Sequence, residues 1–120
     1  MEYKLLKLER KEGVGIVLFD NAEQMNPTNP TTVAELTAAF TELNNDPEVK
    51  AVIITGGDHI FAAGGDIPYM SEAGVQEMEE FIADAGYMVS LITSSPKPYI
   101  AAIAGPALGG GTEISIACDI

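Results

Sequence analysis

The chain has no tryptophan, one cysteine and only 6 Lys+Arg against 18 Asp+Glu, for a formal net charge of −12. Each shortage excludes something. A lone cysteine, Cys118, forms no internal disulfide, so a reducing cytoplasm is the expected home. The shortage of cations removes the electrostatic footprint that phosphate backbones and anionic membranes require. Five of the six basic residues (Lys4, Lys7, Arg10, Lys11, Lys50) lie in the first 50 positions, and Lys97 is the only later one. No nucleic-acid or membrane partner is expected. The longest apolar stretch, Tyr99 to Ala104, is far short of a membrane span, and Met1–Lys7 has no apolar core of a signal peptide.

What is present is an apolar fraction of 47% in 120 residues, enough for a real core and for one domain at most. Residues 3–9 and 14–19 read as two antiparallel strands joined by a turn at Arg10–Gly13. Residues 20–28 read as a loop. Asn29 before Pro30 suits an N-cap, and Val33, Leu36, Phe40 and Leu43 follow at spacings of 3, 4 and 3, one buried helical face. Pro47 ends that helix, and Ala51–Thr55 reads as a strand covered on both faces. Asp66 is read as the cap of a short helix. Ser71–Ser94 reads as one long helix, with Val75, Met78, Ile82, Ala85, Val89 and Ile92 as its apolar face. Tyr99–Ile103 is a further strand and Thr112–Ala117 a further helix. Strands alternating with helices predict an α/β domain with a mostly parallel sheet.

Two glycine-rich turns each follow a strand and precede a helix: Ala62-Ala63-Gly64-Gly65-Asp66 and Gly105-Pro106-Ala107-Leu108-Gly109-Gly110-Gly111-Thr112-Glu113. Glycines there let backbone N–H groups approach a ligand, and two converging N–H groups bind a developing oxyanion. One such turn is better read as a tight turn alone; a pair makes a ligand site an equal reading. Gly105 to Gly110 has phosphate-loop spacing, but Gly111 stands where that loop needs its lysine. No G-x-G-x-x-G is present. Glu113 follows three glycines and precedes an apolar run. It is either a helix-start carboxylate favoured by the dipole or a buried general acid/base with a tuned pKa, and position alone favours the first. His59 reads as a solvated loop residue with no metal to hold, and Cys118 as an inert core thiol. For Met25, Met70, Met78 and Met88 core filling is the default reading, and lining of an acyl pocket the alternative.

The segments Ala51–Gly56, Phe61–Ile67, Pro98–Glu113 and Ala117–Ile120 resemble, in order and spacing, the enoyl-CoA hydratase/isomerase (crotonase) family, and Gly15–Phe19 with Met25-Asn26-Pro27 resemble its opening. The resemblance implies a crotonase-like ββα spiral fold, of which residues 1–120 are the N-terminal part. The C-terminal trimerisation helices and the second glutamate lie beyond it. It implies an acyl-CoA thioester substrate, with coenzyme A part of the substrate and no separate cofactor. The oxyanion donors fall on Gly65 and Gly110 and the first catalytic glutamate on Glu113. Met25, Ala63, Gly64, Asp66, Ile67 and Gly109 fall on substrate-binding positions. Pro68 stands where a lysine often contacts the coenzyme A phosphates. The implied reaction is hydration of a 2,3-double bond in a cytoplasmic trimer or hexamer. The alternatives are isomerisation, another reaction of the family, or a non-catalytic segment that needs its missing half.

Overall fold

A computed structural model describes residues 2–120. β1 (Leu6–Lys11) and β2 (Val14–Phe19) form an antiparallel hairpin. Its turn is only Glu12-Gly13, both at positive φ (51° and 81°), so Arg10 and Lys11 belong to the strand rather than to the turn expected from sequence. After a 3-10 turn at Ala22–Gln24 come β3 (Pro27–Thr28), α1 (Pro30–Asn45), β4 (Ala51–Thr55) and β5 (Gly64–Gly65). α2 (Ile67–Glu72), α3 (Val75–Thr93), β6 (Tyr99–Ala102) and α4 (Gly110–Ala117) complete the order. The main sheet runs β1-β2-β4-β6, parallel from β2 onward, and β3 pairs with β5 in a separate parallel pair. After α4 the backbone returns beside β6, where Asp119 N–H donates to Tyr99 O (2.8 Å) and Ala101 N–H to Ile120 O (2.9 Å).

α1 forms as its sequence dictates. Asn29 Oδ1 accepts from Thr32 N–H at 2.9 Å, Pro30 opens the first turn, and Val33, Leu36, Phe40 and Leu43 are buried. They pack with Val17 and Phe19 of β2, Val52 and Ile54 of β4, and Tyr99 of β6. The Phe40 and Tyr99 rings meet edge-to-face at 5.5 Å. β4 is less enclosed than its apolar run suggests: Val52 and Ile54 are buried, whereas Ala51, Ile53 and Thr55 are half-buried, the alternation of a sheet with one core face.

Ser71–Ser94 is not one helix. α2 ends at Glu72, and α3 starts afresh after Gly74, whose N–H donates to Glu77 Oε1 at 3.3 Å. The inward face of α3 is also rotated from the expected one. Met88 and Ile92 are buried, and Phe81, Ala85, Val89 and Leu91 pack on the core. Val75 and Ile82 are 79% and 63% exposed. Of the expected face Ala85, Val89 and Ile92 meet the core, while Val75 and Ile82 do not.

A buried tyrosine and a half-buried thiol near β6 make stability fall at high pH. Burial pushes the Tyr99 hydroxyl well above its ordinary value, with the neighbouring Cys118 adding to it, although the bond to Asn44 opposes the rise. Burial, then Asp119, pushes the Cys118 thiol up to about 11 from 9.0. An unfolded chain ionises both groups first, so the unfolded state gains as pH rises. The urea midpoint is expected to hold up to about pH 9 and to decline above it, with Cys118→Ala reducing the early part of the decline.

Candidate active site

The site is built around residues 61–65. Phe61 is buried and meets Phe19 of the sheet edge-to-face at 5.4 Å, which fixes the start of the segment. From one side the loop after β2 reaches it. Asn26, buried, donates from Nδ2 to Phe61 O (2.9 Å) while its Oδ1 accepts from Asn21 N–H (2.8 Å). Ala63 N–H donates to Met25 O (3.0 Å), and β3 pairs Pro27 with Gly64 and Thr28 with Gly65. From the other side comes the second glycine turn. Phe61 N–H donates to Pro106 O (3.0 Å), Ala62 bridges Ala107, and Leu108 N–H donates to Ala62 O (2.9 Å).

This double pairing explains the glycines. Gly64 and Gly109 have φ of +103° and +49°, and a Cβ on Gly109 would stand 3.3 Å from the Gly64 Cα. The turns therefore touch backbone to backbone. Asp66 N–H donates to Thr28 O at 3.1 Å, and in a parallel ladder Gly65, opposite Thr28, turns its own N–H away from β3. Gly110 is the first residue of α4, so its N–H has no intrahelical acceptor and lies at the positive end of the helix.

Gly65, Gly110 and Glu113 line one open cavity of about 430 Å³. Thr28, Met70, Phe81, Ile82, Ala85, Gly86, Met88, Val89 and Ile114 complete its wall. Glu113 is exposed and stands in the first turn of α4, one helical turn after Gly110, so both residues present to the same face. Of the two readings of Glu113 from sequence, the helix-start carboxylate is found; the burial expected of the acid/base is not, since the side chain is exposed on the wall of an open cavity.

The other turn and substrate-binding positions named from sequence do not line this cavity. Gly64 and Gly109 make the contact between the turns. Ala63 and Met25 form the backbone bond already described, and the Met25 side chain is exposed. Asp66 caps α2 by accepting from Tyr69 N–H (3.0 Å), and its Oδ2 accepts from Asn29 Nδ2 (3.2 Å), tying the caps of α1 and α2 together. Ile67 is exposed at the start of α2. Of the methionines, Met70 and Met88 reach the cavity and Met25 and Met78 do not. Sequence reading missed Phe81, Ala85, Val89 and Gly86 as cavity wall. The signal was there in part: an apolar face on α3 broader than one core stripe needs.

His59 is exposed in its turn, and among the described residues no group of three or more His, Cys, Asp and Glu is arranged to hold a metal. Among the described residues no helix is long and apolar enough to cross a membrane. Lys97, the only cation beyond residue 50, is occupied: its Nζ donates to the Leu43 and Asp46 carbonyls (2.6 and 2.7 Å) at the C-terminal end of α1. Arg10 is paired with Glu42 and Asp46.

Residues 9–120 match the family model described as enoyl-CoA hydratase/isomerase. The chain belongs to this family. It is 40% identical to the crotonyl-CoA hydratase of Syntrophomonas wolfei over 99% of its own length and 46% of that protein. It is 38% identical to the short-chain-enoyl-CoA hydratase of Clostridium acetobutylicum, covering all of this chain and 46% of that one. The crystal structure of an enoyl-CoA hydratase from Bacillus anthracis superposes with a TM-score of 0.92 at 28% identity, over 98% of this chain and 46% of that one. An enoyl-CoA hydratase/isomerase from Xanthobacter autotrophicus gives 0.92 at 30% identity over 99% and 45%. The fold is therefore that of the enoyl-CoA hydratases, and the chain spans about half the length of the curated relatives it matches. Pro68, which stands where the resemblance implies a lysine, is the second residue of α2, a position at which the missing N–H costs nothing.

Proposed function

We propose that this chain supplies the thioester-activating half of a 2-enoyl-CoA hydratase. The observation that carries the reading is the convergence of Gly65, Gly110 and Glu113 on one cavity whose wall, Thr28 apart, is otherwise apolar. The thioester carbonyl oxygen accepts from the Gly65 and Gly110 N–H groups. Water adds its oxygen to C3 and gives a proton to a carboxylate. The electron pair of the 2,3-double bond moves toward the carbonyl, and the resulting enolate oxygen carries the charge that the two N–H groups stabilise. Such donors are worth most in a site from which water is largely excluded, on the order of 10²–10³ in rate each. The enolate then takes a proton at C2, so that the sum is one water added.

Glu113 is assigned to proton transfer, with a second carboxylate from beyond residues 1–120 as its partner. That partner decides between hydration and the isomerisation also found in the family. Coenzyme A enters as part of the substrate, and no separate cofactor is required. With Lys97 and Arg10 engaged elsewhere, the phosphate contacts fall to other groups, and assembly into a trimer or hexamer is part of the same reading. The test is the natively expressed protein mixed with a 2-enoyl-CoA, followed by loss of the conjugated thioester absorbance. Formation of the 3-hydroxyacyl thioester is expected. A shifted double bond with no water incorporated would move the assignment to isomerase, and binding without turnover would make it a non-catalytic acyl-CoA protein.

A further inference from the structure

α3 carries a glycine at position 86, well inside a helix of 19 residues. An interior glycine destabilises a helix relative to alanine, so such a position needs a reason. The usual reasons are absent. Gly86 is not among the glycines at positive φ, and a Cβ built on it meets nothing within 4 Å. At Gly105 and Gly111, by contrast, a Cβ would overlap the carbonyl oxygens of His59 and Ala62. Among the described residues no atom therefore excludes a side chain at position 86, which is exposed. What lies beside it is the cavity that Gly65, Gly110 and Glu113 share.

The wall on the side of Gly86 is apolar, with Phe81, Ile82, Ala85 and Val89 on the same helix, and Met70 of α2 also lines the cavity. The polar groups of a pantetheine or nucleotide placed there would be left without partners. An alkyl chain would lose nothing and would bury its surface. We infer that Gly86 is a specificity-determining position: its missing side chain leaves room for the alkyl tail of the thioester's acyl group. The inference rests on the acyl-CoA reading above and goes beyond it by assigning chain-length selection to one residue of α3. Alanine at this position shortens the space by one methyl group, and leucine fills it.

The test uses the natively expressed protein and its Gly86→Ala and Gly86→Leu variants. Binding of butyryl-CoA and decanoyl-CoA is measured by calorimetry, with hydration of the matching enoyl-CoAs beside it. Gly86→Ala is expected to raise the melting temperature. Gly86→Leu is expected to lower the decanoyl/butyryl affinity ratio by about tenfold or more, in line with the energy of a few methylenes in an apolar pocket. Equal losses at both lengths, in a variant that melts no lower than the parent, would overturn the role of Gly86 alone. Chain-length-dependent binding without turnover would sustain it while removing the hydratase assignment. A parent that binds neither thioester would overturn both.

Discussion

Glu113→Gln is expected to reduce kcat for 2-enoyl-CoA hydration by about 10²–10⁴-fold, the usual worth of a positioned proton-transfer group, with KM changed far less. Glutamine keeps the size and hydrogen-bonding reach of the side chain and loses only the ability to exchange a proton. The substitution is also structurally mild. Glu113 is exposed, so no buried charge is left unpaired, and its N–H bond to Gly109 O (3.0 Å) belongs to the backbone. The one structural cost is the carboxylate at the start of α4, which the helix dipole favours by about 0.3–1 kcal/mol. A drop in turnover with a melting temperature within a few degrees of the parent therefore reports chemistry rather than folding. Because Gly65 and Gly110 remain, thioester affinity should survive, and saturated acyl-CoA binding by calorimetry checks that. A variant that keeps more than half of parental kcat would sink the proton-transfer role.

The elements legible in the sequence are those whose cause is local. Asn29-Pro30 announces the start of α1, and Val33, Leu36, Phe40 and Leu43 its buried face, because cap and periodicity act within a few residues. Asp66 is legible as a cap for the same reason. The β3–β5 pair is not, since two residues carry no periodicity and their partner is 37 positions away. Glycine turns were legible as a pair of candidate sites, but not as a single object. The Ala62–Ala107 bridge and the Leu108-to-Ala62 bond that join them are long-range, and only the fold brings them about. α3 misled for a different reason. Its apolar residues serve both the core and the cavity wall, so a reading that assigns every apolar residue to the core turns the helix the wrong way and hides Phe81 while burying Ile82. The same ambiguity explains why Met70 and Met88 could not be told from Met25 and Met78 by type or spacing.

The junction between the turns also sets the second large effect. Gly111→Ala places a Cβ into the Ala62 carbonyl oxygen and 2.9 Å from the Ala62 Cβ. Both are parts of a backbone segment held on two sides, so neither can swing away as a side chain would. Ala62 O already accepts from Leu108 N–H, and its neighbour Phe61 is locked by its ring and by Asn26. The turns must separate instead, at a cost of about 1–3 kcal/mol for a forced overpacking. That separation moves Gly110, one residue away, relative to Gly65. A 1 Å error in such a pair can cost on the order of 10²-fold in rate, because donors aimed at one oxygen act only in concert. Gly111→Ala is thus expected to lower both the urea midpoint and kcat. Gly57→Ala supplies the contrast. Gly57 has φ of +89° with nothing within 4 Å of a Cβ, so alanine there suffers backbone strain and no collision, in a turn that does not line the cavity. It should lose stability and keep its turnover. If the two variants lose stability alike and both retain kcat, the spacing of the two turns does not govern the reaction, and the paired-donor account of the site falls with it.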